Sequence, residues 1–78
     1  MMSSLPILKP REVVKALRRG GFYIHHRTGS HVRLVHRTRS ELRVTVPIHS
    51  KDIPKGTLKR ILRQANITVE EFTELLKG

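Results

Sequence analysis

Cysteine is absent from the sequence, acidic side chains are few, and no long apolar run occurs. Without cysteine, neither a disulfide framework nor a thiolate zinc site can stabilise the fold, so a hydrophobic core must do so. No apolar run approaches the roughly 20 residues of a membrane span, and residues 1–8 lack the basic start and the apolar centre of a signal peptide. We therefore expect a soluble, cytoplasmic protein that does not bind a membrane.

Positive charge dominates the composition. Sixteen Lys and Arg residues against six Asp and Glu residues give a net charge of +10 on 78 residues. Such a field favours polyanions, nucleic acid above all, although a solvated cationic face that only keeps the domain soluble is the alternative. A chain this short holds a single core. We predict one domain over residues 1–78, with its core in residues 10–67 and a helical appendage in residues 68–78, where the charge turns acidic.

Hydrophobic periodicity predicts the order helix, three strands, helix. Apolar residues at helical spacing predict a first helix over Pro10–Arg19, which Gly20 and Gly21 can end in a left-handed conformation. The period then falls to two, which is typical of strands. The apolar strand positions are Phe22, Ile24, Val32, Leu34, Leu42, Val44 and Val46. Helical spacing returns over residues 58–65, and a capping box of Thr68 and Glu71 starts a short third helix. The predicted class is α+β, with an antiparallel sheet covered by helices on one face.

Hairpin parity assigns side chains to the two sheet faces, because residues directly opposite in a hairpin share a face. Opposing Phe22 to Leu34 and Ile24 to Val32 leaves a three-residue loop that ends at Gly29, where a positive φ is expected. The connection between the second and third strands needs an odd number of loop residues if the apolar positions of both strands are to share a face. The residues then assigned to the open face are Tyr23, His25, His31, Arg33, Val35, Arg43 and Thr45.

Five histidines are the second chemical signal, and parity separates them. His25 is predicted to oppose His31 on the open face, whereas His26 and His36 have core parity and are expected to be half-buried and hydrogen-bonded. An imidazole among phosphate-binding cations is a minimal ribonuclease apparatus, although an exposed strand histidine is also an ordinary polar residue. No cysteine or nearby carboxylate completes a metal site, so we predict none. Ser30 is not expected to pair with His31, because adjacent strand residues point to opposite faces.

Several short motifs occur in a characteristic order. They are Gly29-Ser30-His31, Pro47-Ile48-His49, and Pro54-Lys55-Gly56-Thr57-Leu58 running into Ile61-Leu62-Arg63-Gln64-Ala65. Together they resemble the HicA toxins of type II toxin–antitoxin systems over residues 11–72. The chain departs from that pattern at Asn66, where glycine is more usual, and at Val32, where a second histidine often follows the motif.

This resemblance implies a fold similar to the double-stranded RNA-binding domain and a toxin endoribonuclease that cleaves mRNA without a ribosome or a cofactor. It implies that His31 is the catalytic residue. It also implies a HicB-like antitoxin partner that covers the active face and joins the toxin in repressing their operon, so that operator DNA is met only through the complex.

The resulting hypothesis is histidine-assisted transesterification with His31 as the proton-transfer group. His25 and His49 are the candidates for the second acid or base. The expected RNA-binding residues are Gly29, Ser30, Arg33, Lys51, Lys55 and Lys59. Two alternatives remain at this point: a non-catalytic module that binds double-stranded RNA, and an interaction protein whose basic face binds an acidic partner.

Overall fold

The computed structural model of the chain describes residues 5–48 and 51–78. Its elements are α1 (Pro10–Arg19), β1 (Phe22–Arg27), β2 (His31–His36), β3 (Arg43–Pro47), α2 (Lys55–Ala65) and α3 (Val69–Lys77). The strands form one antiparallel sheet in the order β1-β2-β3. The predicted α+β class and element order are confirmed, and they are consistent with a fold like the double-stranded RNA-binding domain. No helix within the described residues is long and apolar enough to cross a membrane.

The ends of the last two helices follow from local sequence signals. Asn66 adopts the left-handed conformation with φ of 57°, and the Ile67 N–H donates to the Leu62 carbonyl at 3.0 Å. This is the Schellman termination that an Asn or Gly permits. The capping box of Thr68 and Glu71 then starts α3, with hydrogen bonds of 2.8 and 3.0 Å. Both predicted signals are confirmed.

The core lies between the inner face of the sheet and the helices. Its fully buried members come from every layer and include Leu17, Phe22, Leu34, Val44, Leu58 and Phe72. Burial of one such side chain contributes about 1.5–3 kcal/mol. Phe72 carries α3 into this core, and the Arg19 guanidinium of α1 donates to the Leu75 carbonyl at 2.9 Å. The predicted C-terminal appendage is therefore packed against the body of the fold.

The predicted β1–β2 register is wrong by two residues. Phe22 pairs with His36, and Ile24 with Leu34. A shift of two keeps every side chain on its face, so hydrophobic alternation does not distinguish the two registers. The prediction of a positive φ at Gly29 is also wrong. The turn is instead closed by Thr28, whose Oγ1 accepts hydrogen bonds from the backbone N–H groups of Ser30 and His31 at 3.3 and 3.0 Å.

A β-bulge between Ile24 and His26 changes the faces of the residues that follow it. His26 pairs with Arg33 on the open face, and Arg27 pairs with Val32 on the helix side. Because side chains alternate between the two sheet faces, one extra residue moves every later residue of β1 to the opposite face. The prediction that His26 has core parity is therefore wrong, since it is exposed, and so is the expected opposition of His25 and His31.

One residue of the predicted open face is buried. Val35 is only 6% exposed, and its neighbours on the adjacent strands are Tyr23 and Arg43. Long side chains on both sides of a short one can shield it on an open sheet face. The parity of Val35 was predicted correctly and its exposure was not.

The second hairpin has the predicted parity. Leu34 pairs with Val44, and the His36 N–H donates to the Leu42 carbonyl at 3.1 Å, which leaves the odd-length loop 37–41. Within that loop the pKa of the Glu41 carboxyl is lowered. The main cause is a hydrogen bond from the Glu41 backbone N–H, and Arg39 makes a smaller contribution. At the outer edge of β3, the Thr45 N–H donates to the Gln64 side chain of α2 at 3.2 Å.

Candidate active site

The backbone of His31 is fixed at the start of β2 by the turn that precedes it. The Thr28 N–H donates to the His31 carbonyl at 2.9 Å, while Thr28 Oγ1 accepts from the His31 N–H at 3.0 Å. The Ser30 carbonyl accepts a further bond from the Ile48 N–H at 2.8 Å. The backbone of His31 is thus hydrogen-bonded to the turn, and the turn is hydrogen-bonded to the residue that follows β3.

The His31 ring is exposed and contacts the side chain of its neighbour. Ser30 Oγ lies 2.9 Å from His31 Nδ1, so the expectation that the two side chains point apart is wrong. Ser30 belongs to the turn and not to the strand, so strand alternation does not apply to it. The contact restrains the orientation of the imidazole, and the direction of the hydrogen bond depends on the tautomer.

A cavity of about 340 Å³ on the open face contains this ring. It is lined by His26, Thr28, His31, Arg33 and Thr45. Two imidazoles and a guanidinium thus share one concave surface. His26 was missed in the sequence because its place there depends on the bulge, and the repeated histidine at positions 25–26 does not reveal which of the two is turned to the cavity.

The other two described histidines, His25 and His36, do not line this cavity. His25 lines a neighbouring cavity of about 230 Å³ together with Arg43, and His26 and Arg33 line this second cavity as well. The centroid of the His25 ring lies 6.3 Å from that of Tyr23. The predicted accessory residue His49 falls outside the described residues. His36 is half-buried as predicted, and its Nδ1 accepts from the Thr38 and Arg39 backbone N–H groups, both at 3.2 Å.

The residues predicted to bind RNA do not form one continuous set. Arg33 shares the cavity with His31, and Gly29 and Ser30 lie in the turn beside it. Lys51 lines a groove on the helix side of the sheet. Lys55 and Lys59 are exposed on α2, four residues apart and so on one helical face.

Metal-ligating side chains are scattered across the fold. Throughout residues 5–48 and 51–78, no group of three or more His, Cys, Asp or Glu side chains is placed to hold a metal ion. The described residues that line the open-face cavity offer imidazole, hydroxyl and guanidinium groups.

The fold agrees with what comparison with known proteins finds. The family model for the HicA toxin of bacterial toxin–antitoxin systems matches residues 10–67, more than half of the chain. The chain belongs to the HicA toxin family. Membership makes this HicA chain the toxin of a toxin–antitoxin pair and implies an antitoxin partner. A comparison with individual curated proteins gives no significant match.

Proposed function

We propose that this HicA-family toxin is an endoribonuclease that cleaves mRNA by transesterification, with His31 as a proton-transfer group. The observation that carries the proposal is the open-face cavity, where His31 lies together with His26 and Arg33. Family membership supports it, because HicA toxins are generally ribonucleases. The net charge of +10 supports a polyanionic substrate.

The reaction needs a base, an acid and a cation around one phosphate. The base removes the proton of the ribose 2′-hydroxyl, whose oxygen forms a bond to phosphorus, while the bond from phosphorus to the 5′-oxygen breaks and the acid protonates that oxygen. The products are a 2′,3′-cyclic phosphate and a 5′-hydroxyl. Imidazole can serve in either role near neutral pH, and the Arg33 guanidinium would stabilise the additional negative charge of the phosphorane.

For the second proton-transfer group we propose His26 in place of His25. His26 lines the same cavity as His31, whereas His25 lines the neighbouring cavity, which it shares with His26, and not that of His31. His49 remains a candidate that rests on the sequence motif alone. A pair of histidines, one protonated and one neutral, would supply the acid and the base that the two halves of the transesterification require.

The RNA backbone would be held by cations around this cavity and on α2. We assign this role to Arg33, Lys55 and Lys59, together with the turn residues Gly29 and Ser30. Lys51, which the sequence also predicts to bind RNA, lines the groove on the helix side of the sheet and is not assigned this role. Lys55 is the first residue of α2, and the first turn of that helix contains no acidic side chain. The backbone N–H groups at a helix start favour phosphate, which supports this assignment.

The remaining parts of the proposal concern the cell. A HicB-like antitoxin would neutralise the toxin, and operator DNA would be contacted only through the toxin–antitoxin complex. Cleavage would take place in the cytoplasm, on free mRNA, without a ribosome or a cofactor. Family membership supports the antitoxin and the RNA target in general terms.

Incubation of the purified protein with a long RNA in the presence of EDTA, followed by end-group analysis, tests the activity. We expect 2′,3′-cyclic phosphate and 5′-hydroxyl ends. His31→Ala should abolish cleavage while RNA affinity and the thermal midpoint stay nearly unchanged, because the ring is exposed. Undiminished cleavage by that variant would contradict the assignment. RNA binding without scission by the unaltered protein would favour the non-catalytic module, and binding of an acidic protein alone would favour the interaction protein.

A further inference from the structure

A second concave surface, here called the α1 groove, lies between α1 and the inner face of β1 and β2. It measures about 660 Å³. The floor of the groove is aliphatic and consists of Val14, Ile24, Val32 and Ile48. The rim is cationic and consists of Lys9, Arg11, Lys15, Arg18, Arg27 and Lys51. None of the described residues that line it is acidic or aromatic.

This arrangement follows from helical spacing and from the β-bulge. Arg11, Lys15 and Arg18 are spaced by four and three residues, so they form one stripe on α1 beside Val14. Arg27 reaches the same side only because the bulge places it opposite Val32. The irregularity that turns His26 towards the active-site cavity therefore also completes the rim of the α1 groove.

We infer that the α1 groove binds an acidic amphipathic helix of a partner protein. Six cations around an apolar floor are complementary to a helix whose aliphatic side chains, spaced by three and four residues, are flanked by carboxylates. RNA fits this surface less well, because unpaired bases bind by stacking on aromatic rings and duplexes by their hydroxyls and phosphates. The aliphatic floor provides neither an aromatic ring on which a base could stack nor a hydrogen-bonding group for the backbone of a duplex.

The α1 groove is separate from the proposed active site. It shares no lining residue with the cavity of His31, and its floor residue Val32 lies on the opposite sheet face from Arg33. A helix bound there leaves the His31 cavity open, so this site would anchor a partner whose other parts are free to act elsewhere. The inference goes beyond the proposed cleavage of RNA and does not require it.

The test uses a fluorescein-labelled helical peptide of about 18 residues, or about five turns. Leucines are placed on one face and glutamates beside them, and a peptide of the same composition in scrambled order is the control. Arg11→Glu with Lys15→Glu should weaken binding of the amphipathic peptide by more than about tenfold. The matched control is Lys59→Glu with Arg63→Glu, which changes the net charge equally at the same spacing on exposed positions of α2. This control should leave the affinity within about twofold of the unaltered protein at moderate salt.

A floor substitution and amide mapping locate the contact. Ile24→Thr should weaken binding about fivefold, because it removes apolar area from a half-buried strand position. In ¹⁵N-resolved spectra the peptide should shift amides of α1 and of Ile24 to Arg27, and not those around His31. Circular dichroism confirms that each variant is folded.

Several results would overturn the inference. They are equal affinity for the scrambled peptide, absence of binding at millimolar peptide, and equal losses in the α1 and α2 variants, which would show non-specific electrostatics. A duplex RNA oligonucleotide that loses affinity only in the α1 variant would assign the groove to RNA. Sedimentation showing a dimer that the α1 variant abolishes would assign it to a second copy. RNA cleavage is measured separately, so failure here and failure of the proposed activity are distinguishable.

Discussion

Ser30 contacts the proposed catalytic imidazole, with 2.9 Å between its Oγ and His31 Nδ1. We expect Ser30→Ala to lower the rate of RNA cleavage by about three- to tenfold, which corresponds to one hydrogen bond. The pH profile of cleavage should also change, because removal of Oγ takes away a hydrogen-bond partner of the ring. The thermal midpoint should hardly move, since the turn keeps the bonds made by Thr28.

Ser40→Ala is the matched control for this prediction. Ser40 is an exposed serine in the loop between β2 and β3, away from the residues that line the His31 cavity. Its variant should cleave RNA at the unaltered rate. If the two serine variants behave alike, or if Ser30→Ala changes stability but not the pH profile, Ser30 has no positioning role.

His25 and His26 are adjacent exposed imidazoles at the bulge, and of the two it is His26 that lines the cavity of His31. We expect His26→Ala to slow cleavage by about 10²–10⁴-fold, the usual contribution of a general acid or base. A reaction that needs one acid and one base has a bell-shaped dependence of kcat on pH, with two limbs, and the variant should lose one of them. His25→Ala changes the same type of side chain one position earlier and should retain both limbs. Equal effects of the two substitutions on rate and profile would remove His26 from the mechanism.

At the scale of elements, the connection from α1 to β1 depends on Gly21. Its φ is +100°, and a Cβ there would lie 2.8 Å from His36 Nε2. The His36 ring cannot easily give way, because it accepts two backbone hydrogen bonds and packs edge-on against Phe22 with centroids 5.0 Å apart. Gly21→Ala should therefore lower the free energy of unfolding by about 1–3 kcal/mol in urea titrations.

Gly29→Ala is the comparison for that substitution. Gly29 lies in the hairpin turn without a positive φ, and nothing lies within 4 Å of the position a Cβ would take. Its replacement should leave stability unchanged or raise it by about 0.4–1 kcal/mol, because alanine restricts the unfolded chain. If the free energy of unfolding falls more for Gly29→Ala than for Gly21→Ala, then the turn at Gly29, and not the one at Gly21, is the turn that requires glycine.

The sequence predicts the elements of this fold well because each is encoded locally. Helix α1 runs over Pro10–Arg19 as its spacing indicates, and Asn66 and the Thr68 capping box end α2 and start α3 as expected. Pairing between strands is encoded less well. Alternation determines the face of a residue but not a register offset of two, and the closure of the first turn by Thr28 leaves no signal in the hydrophobic pattern.

The candidate site was predicted in part for the same reason. The pairing of β2 with β3 is regular from His31 to Val35, so alternation places His31 and Arg33 correctly on the open face. His25 and His26 lie at the bulge, whose extra residue changes the sheet face of the positions that follow it. A bulge is a property of two paired strands, so the composition of either strand alone does not reveal it.

At the scale of the molecule, charge and fold are arranged so that two cationic surfaces face different directions. The open sheet face holds His31 and Arg33, and the helix side holds the α1 groove. The acidic side chains Glu70, Glu71 and Glu74 lie on α3, which packs against α1. In the two proposals made above, RNA binds the sheet face and α2, and a protein partner binds the α1 groove at the same time.

The cations of α2 should be visible in the salt dependence of RNA binding. Each phosphate neutralised by a protein releases a counterion, so the slope of log affinity against log salt falls by about 0.7–1 when one such contact is lost. Lys55→Ala and Lys59→Ala, made in the His31→Ala background so that the RNA stays intact, should each reduce the slope by this amount. Lys77→Ala removes the same charge from the acidic helix α3, where the lysine lies 3.4 Å from Glu74, and should leave the slope unchanged. Equal slopes for all three lysine variants would show that net charge alone attracts RNA and that α2 does not contact its backbone.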